Sequence, residues 1–246
     1  MFTIIVKENK QDMANAAFEV IKEVLDQKPN AVLGLATGSS PIGLYKKMIE
    51  DHKTAGRSYK DVVTFNLDEY VHLDRNHSQS YYTFMKEHLF DFIDIDLNNV
   101  HIPNGNAEDF EVEVERYEDE LSKFHVDVQV LGIGSNGHIG FNEPGTPFAS
   151  TTHKESLKES TRNDNARFFA SIDDVPTHAI TMGIASIMKA KKILLLASTS
   201  YKAKAIAAMI HGPVTENCPA SVLQSHPDVV IIIDKAAASL LADDGH

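Results

Sequence analysis

Short apolar runs rich in β-branched residues alternate with amphipathic stretches from end to end of this chain, and few architectures accommodate that rhythm. Thr3 to Val6 has strand character, and Asp12 to Gln27 then sets Met13, Ala16, Ala17, Val20, Ile21, Val24 and Leu25 on one helical stripe. Ala31 to Leu35 reads as the next strand, followed by ATGSSP and a helix near Ile42 to Asp51. Val62 to Asn66 is a further strand, ending in NLDEY. Helices are expected at Tyr81 to Phe90 and, strongly acidic, at Glu108 to Phe124. Val126 to Leu131, Ile193 to Ala197 and Val229 to Ile233 complete the strands, with helices at Thr181 to Met188 and Lys202 to Ile210. This alternation predicts an α/β fold: an open, mostly parallel sheet with helices on both faces. No internal repeat, low-complexity segment or linker divides the sequence, so residues 1–246 are expected to form a single domain.

Charge and cysteine usage narrow the function. Asp plus Glu number 35 against 23 Lys plus Arg, a formal charge of −12, which argues against nucleic acid or an anionic membrane surface as the partner. A small anionic substrate is still allowed, because a few backbone N–H groups and local cations can hold one phosphate. The single Cys218 excludes an internal disulfide framework and thiolate-rich metal sites, and fits a reducing compartment. MFTIIVKENK does not have the form of a secretory signal, and KILLLAS and DVVIIID have the length of buried strands, not of membrane spans. A cytoplasmic location is expected.

The stretch richest in chemistry is LGIGSNGHIGFNEPG, Leu131 to Gly145, which follows Val126, Val128 and Val130. A strand running into a glycine-punctuated loop at its carboxyl end is where ligands bind in open α/β sheets. His138 can exchange a proton near neutral pH, and Glu143 can orient it or share the work. Gly132, Gly134 and Gly137 also spell the G-x-G-x-x-G of dinucleotide-binding turns. That fingerprint needs an immediate helix and a second strand ending in an acidic residue. Pro144 and Pro147 interrupt any helix, and Ser150 to Asn165 is polar without strand alternation. A purely structural glycine turn explains the glycines but not the histidine and glutamate beside them.

Two other loops share that edge of the sheet. In ATGSSP, Gly38 permits a tight turn while Ser39, Ser40 and backbone N–H groups face a helix N-terminus, which suits a phosphate. No Gly-Lys-Ser/Thr follows, so a nucleoside triphosphate is not implied; the plain alternative is an N-capping turn. In NLDEY, Asp68 and Glu69 place two carboxylates at a strand end, where core packing explains them poorly. Elsewhere the plain readings win. The acidic helix is expected to be a solvated face, His72, His77 and Asp74 are surface residues matching no metal signature, and Cys218 is a small packing residue.

ATGSSP, FNLDEY and LGIGSNGHIGFNEPG, in this order and separation, resemble the glucosamine-6-phosphate deaminase (isomerase) family, and STRNDNARFF and TMGIASIM extend the likeness over nearly the whole chain. The 6-phosphogluconolactonases share the fold and a similar sugar-phosphate loop, but NLDEY and GHIGFNEPG are closer to the deaminases. The resemblance implies a Rossmann-like domain that converts glucosamine 6-phosphate and water to fructose 6-phosphate and ammonia, in amino-sugar catabolism, with no metal or organic cofactor. By the same resemblance, His138 is the acid–base group that opens the pyranose ring, supported by Glu143. Asp68 carries the proton from the amine-bearing carbon to its neighbour. Gly38, Ser39 and Ser40 cradle the phosphate, with Arg167 and Lys202 as cationic contacts. Glu69 and Asn142 are left as catalytic or supporting residues.

Two departures from the family pattern matter. Some members carry an aspartate where this chain has Asn136, and an amide cannot trade a proton there; Asn136 is a positioning residue at most. Members activated by N-acetylglucosamine 6-phosphate have basic residues where His153 and Glu155 align, and the tail LLADDGH leaves little room for a C-terminal extension. No allosteric activation by that sugar is therefore expected. A lactone hydrolase for sugar phosphates and a non-catalytic sugar-phosphate sensor are the alternatives; a sensor could dispense with Asp68 and His138. No basic DNA-reading element is present, and association into a homo-oligomer is left open.

Overall fold

The computed structural model describes residues 2–241; the final residues of the LLADDGH tail lie outside them. In chain order the strands and helices are β1 (Phe2–Lys7), α1 (Lys10–Gln27), β2 (Val32–Leu35), α2 (Ile42–Lys53), β3 (Val63–Asn66), β4 (Asp68–Tyr70), α3 (Tyr81–His88), β5 (Val100–His101) and α4 (Phe110–Ser122). They continue with β6 (Val128–Leu131), β7 (His153–Ser156), α5 (Glu159–Asn165), β8 (His178–Thr181), α6 (Ile184–Met188), β9 (Lys192–Ala197), α7 (Ala203–His211) and β10 (Val229–Asp234). Short 3-10 turns link several of them.

Seven strands form a parallel sheet in the order β1-β10-β9-β6-β2-β3-β5, flanked by helices. β9 and β10 are buried along nearly their whole length, from Ile193 to Ala197 and from Val229 to Ile233, which is why they read as continuous apolar runs without alternation. α1 starts where the Asn9 side chain accepts the Asp12 N–H at 2.8 Å, and it buries Ala17, Ile21 and Leu25. After β2 the chain steps outward through β3 and β5; after β6 it steps the other way through β9 and β10. The reversal between neighbours β2 and β6 creates a crevice at their carboxyl ends, and ATGSSP and GIGSNGH both leave from there.

Three expectations need correction. First, β4, β8 and β7 form a second, antiparallel sheet of three strands. Ser150 to Asn165 therefore does contain a strand, His153–Ser156, whose half-exposed polar alternation hides it. Second, Thr181 ends β8 and does not begin a helix; α6 starts only at Ile184, after the Gly183 backbone packs against Ser150 and Thr151. Third, the acidic helix α4 is not solvated throughout. Glu113 is buried in a two-pronged pair with Arg116 (2.6 and 2.7 Å). Glu118 accepts the Thr152 N–H and hydroxyl and the Ser186 hydroxyl, which ties α4 to β7 and α6.

Candidate active site

Strand β6 delivers the loop that carries His138. The His138 ring lies directly over Gly134, where any Cβ would sit 2.2 Å from it, so that glycine exists to admit the imidazole. No helix follows the G-x-G-x-x-G, and the dinucleotide reading falls with it. The imidazole Nδ1 is 2.7 Å from the Asn136 Oδ1, 3.3 Å from the Thr161 hydroxyl and 3.5 Å from a Glu143 oxygen. Asn136 turns its amide N–H to the other Glu143 oxygen at 3.4 Å, and this fixes which end of the amide faces the histidine. Nδ1 therefore carries the proton and donates to Asn136, while Nε2 is left as the basic nitrogen.

Glu143 is itself held on several sides. Thr161 donates to it at 2.6 Å, the Lys158 N–H at 3.1 Å and Asn136 as above. Its carboxyl is only 1% exposed, and burial raises its pKa in spite of those three donors. Burial, with Lys202 nearby, drives the His138 pKa down to about 4. His138 is thus a neutral base at physiological pH.

Asp68 is reached through the small sheet. It pairs with Thr181 across β4 and β8, and the Thr181 hydroxyl accepts the Phe141 N–H at 3.1 Å from the His138 loop. Thr181 thereby links the strand that carries Asp68 to the His138 loop. The Asp68 carboxyl is buried, and its pKa is raised well above the ordinary carboxylate range by that burial and by the Glu69 carboxylate. Glu69 serves the scaffold instead. It accepts the Tyr70, Tyr81 and Tyr82 N–H groups at 2.9, 3.0 and 3.0 Å, closing the start of α3. Asn142 is equally structural, donating to the Ile139 and Met182 carbonyls.

The ATGSSP loop leaves β2 with Gly38 at φ +90°, a turn that favours glycine. The α2 N-cap, Pro41, provides no side-chain cap, so Ser39, Ser40 and the first-turn N–H groups are left for a ligand. Thr37 hydrogen-bonds Tyr81, which in turn meets Tyr70, and Asn165 donates to the Tyr70 hydroxyl at 3.0 Å. This hydroxyl chain fastens the ATGSSP loop to β4 and α5. Lys202 donates to the Ile133 carbonyl at 2.7 Å. Burial lowers its pKa, with Arg167 adding to the effect, so the two cations lie near one another. Arg167 is exposed, its guanidinium 4.6 Å over the Phe168 ring.

The structure therefore gathers Asn136, His138 and Glu143 into one network, adds Thr161, and links Asp68 to it through Thr181. Neither threonine stands out in the sequence, because the partners of each lie far along the chain: Thr161 on α5 donates to Glu143, and Thr181 on β8 accepts from Phe141. His72 and His77 are turn residues: His72 has φ +62° and lies edge-on to Phe110, and the His77 ring accepts the Gln79 N–H. Cys218 packs on Gly137.

The model of a family described as glucosamine-6-phosphate isomerases/6-phosphogluconolactonase matches residues 6–231. A glucosamine-6-phosphate deaminase of Thermoanaerobacter pseudethanolicus is 53% identical over 242 residues, 98% of this chain and 96% of that one. One from Mycoplasma mycoides is 52% identical over 241 residues, 98% of each chain. A solved monomeric glucosamine-6-phosphate deaminase superposes with a TM-score of 0.95 at 45% identity, covering 97% of this chain and 99% of its own. The 6-phosphogluconolactonase of Trypanosoma brucei, at 20% identity with a TM-score of 0.82 and covering 98% of this chain and 99% of its own, shares the fold. With the model spanning nearly the whole sheet and all three loops, the chain belongs to the family of glucosamine-6-phosphate isomerases and 6-phosphogluconolactonases.

Proposed function

We propose that this chain is a glucosamine-6-phosphate deaminase acting in amino-sugar catabolism in the cytoplasm, and that residues 1–246 work as one domain. The observation that carries the reading is the pairing of a buried carboxylate, Asp68, with a neutral histidine whose basic nitrogen is free, both at the carboxyl edge of the sheet. His138 Nε2 takes the proton of the anomeric hydroxyl as the C1–ring oxygen bond breaks, and returns it to that oxygen. Glu143, through Asn136 and Thr161, holds the imidazole in the required tautomer. Asp68 removes the proton at C2 as the C1 carbonyl oxygen takes a proton from the substrate's own ammonium group, giving an enolamine, and Asp68 then returns its proton to C1. The resulting 2-imino sugar adds water and expels ammonia, leaving fructose 6-phosphate. No cofactor enters these steps. Gly38, Ser39, Ser40, Lys202 and Arg167 hold the phosphate.

A relative of solved structure is described as monomeric, which supports a site completed within one copy of the chain. Activation by N-acetylglucosamine 6-phosphate is not expected, because His153 and Glu155 bind each other at 3.1 Å and offer no net cation to a phosphate. The deciding experiment is ammonia release from glucosamine 6-phosphate, with 6-phosphogluconolactone as the control. Ammonia and fructose 6-phosphate in equal amounts support the proposal; lactone hydrolysis without ammonia overturns it.

A further inference from the structure

Ser198 to Lys202 leads from the carboxyl end of β9 into α7, and one residue in it has a backbone that its side chain resists. Thr199 has φ +78° and ψ 154°, a region populated almost only by glycine because a Cβ is crowded there, a β-branched one most of all. Its side chain is exposed and makes no hydrogen bond among the described residues, so its own contacts do not hold it in place. What holds it is Asp234, the last residue of β10. Both carboxylate oxygens accept the Thr199 N–H, each at 3.1 Å, and one also accepts the Ala237 N–H at 2.8 Å.

The consequence falls on Lys202. The Thr199 carbonyl accepts the Lys202 N–H at 3.2 Å, closing the single 3-10 turn Ser200–Lys202 from which the lysine reaches the Ile133 carbonyl beside the His138 loop. The neighbouring Tyr201 hydroxyl donates to Asp164, which also receives the Ser135 hydroxyl from that loop at 2.7 Å. A relaxed threonine would send the chain out of β9 in another direction and carry the turn with it. A strained conformation, clamped from a neighbouring strand, sits shortly before a cation at the ligand edge. Such strain persists only where its surroundings over-determine it, and it gathers at functional sites.

We propose that Thr199, clamped by Asp234, is a positioning residue that fixes the turn presenting Lys202 to the substrate phosphate. The inference rests on the reading of Lys202 as a phosphate ligand given above. Asp234→Ala removes the clamp, and Thr199→Gly removes the need for it. Steady-state kinetics with glucosamine 6-phosphate, calorimetric titration with inorganic phosphate and thermal melts are compared for the wild type, both variants and the double variant. Asp234→Ala is expected to raise KM about tenfold with kcat within about twofold of wild type, because only a fraction of molecules then presents the lysine correctly. Affinity for inorganic phosphate should fall in proportion. In the Thr199→Gly background the same change should raise KM by no more than about threefold, since glycine takes this conformation unforced.

Unchanged KM and phosphate affinity in Asp234→Ala, with only a lower melting temperature, would overturn the proposal. Equal KM penalties in both backgrounds would do so too. If Asp234→Ala does not fold, Asp234→Asn keeps one acceptor oxygen and should give an intermediate KM, which wild-type KM would contradict. Wild-type protein that releases no ammonia, yet binds inorganic phosphate with the stated dependence on Asp234, would defeat the functional reading and leave the proposal standing.

Discussion

Asp68→Asn should abolish most turnover and yet raise the melting temperature. The carboxyl is only 7% exposed, feels the charge of the neighbouring Glu69, and pairs with no cation among the described residues. The surroundings therefore disfavour the ionised form in the folded protein. Asparagine has the same shape and no charge. Relieving an uncompensated buried charge stabilises by about 1–3 kcal/mol, and for a chain of this size 1 kcal/mol is worth about 2–4 °C. Turnover should fall by about 10²–10⁴, the usual contribution of a positioned base, because an amide cannot carry the proton from C2 to C1. The sign of the pH dependence follows from the raised folded-state pKa. The wild type escapes the penalty below the unfolded value of about 3.9 and incurs it as pH rises through the folded value. The variant's advantage in scanning calorimetry should thus be largest near neutrality and close toward about pH 4. A variant that melts below wild type, or an advantage independent of pH, would refute this reasoning.

Neutral replacements of Lys202 and Arg167 should raise KM for the phosphorylated sugar and barely alter the poor use of unphosphorylated glucosamine; equal losses on both sugars would make these residues structural. His138, with its folded pKa lowered to about 4, adds stability that is present above the unfolded value of about 6.5 and is lost as pH falls toward 4, about 3 kcal/mol in all. Denaturant midpoints measured across that window should lose this part of their slope in His138→Gln, and an unchanged slope would mean that His138 is not buried neutral. A rate titration with N-acetylglucosamine 6-phosphate at subsaturating substrate should show hyperbolic kinetics and no activation; a rise in rate would reveal an effector site elsewhere.

Most of the parallel sheet was legible because its central strands are buried on both faces and its helices carry a 3.6-residue stripe; these are local signals, and the two-residue edge strand β5 is too short to give one. The small antiparallel sheet was not. Its strands β4, β7 and β8 are three or four residues long, and His153–Ser156 shows its sheet partners mainly polar side chains. Thr161 and Thr181 were hidden for another reason: a threonine whose hydroxyl ties two distant segments looks like any other threonine in the sequence. Asn136 was legible as a departure from the family pattern, but its position was not. It lies closer to the His138 Nδ1 than Glu143 does, 2.7 Å against 3.5 Å, so it acts between the pair and not beside it. Glu113 and Glu118 on the acidic helix were misread as solvated because their partners, Arg116, Thr152 and Ser186, are visible only after folding.

The central claim is that Asp68 moves the carbon-bound proton while His138 opens the ring. Glucosamine 6-phosphate deuterated at the amine-bearing carbon tests both halves at once. Wild type should show a primary isotope effect and leave deuterium at C1 of fructose 6-phosphate. Asp68→Asn should no longer remove the label, and His138→Gln should turn over slowly with the isotope effect suppressed, since ring opening then limits the rate. Loss of the label in Asp68→Asn at a wild-type rate, or an undiminished isotope effect in His138→Gln, would contradict the account.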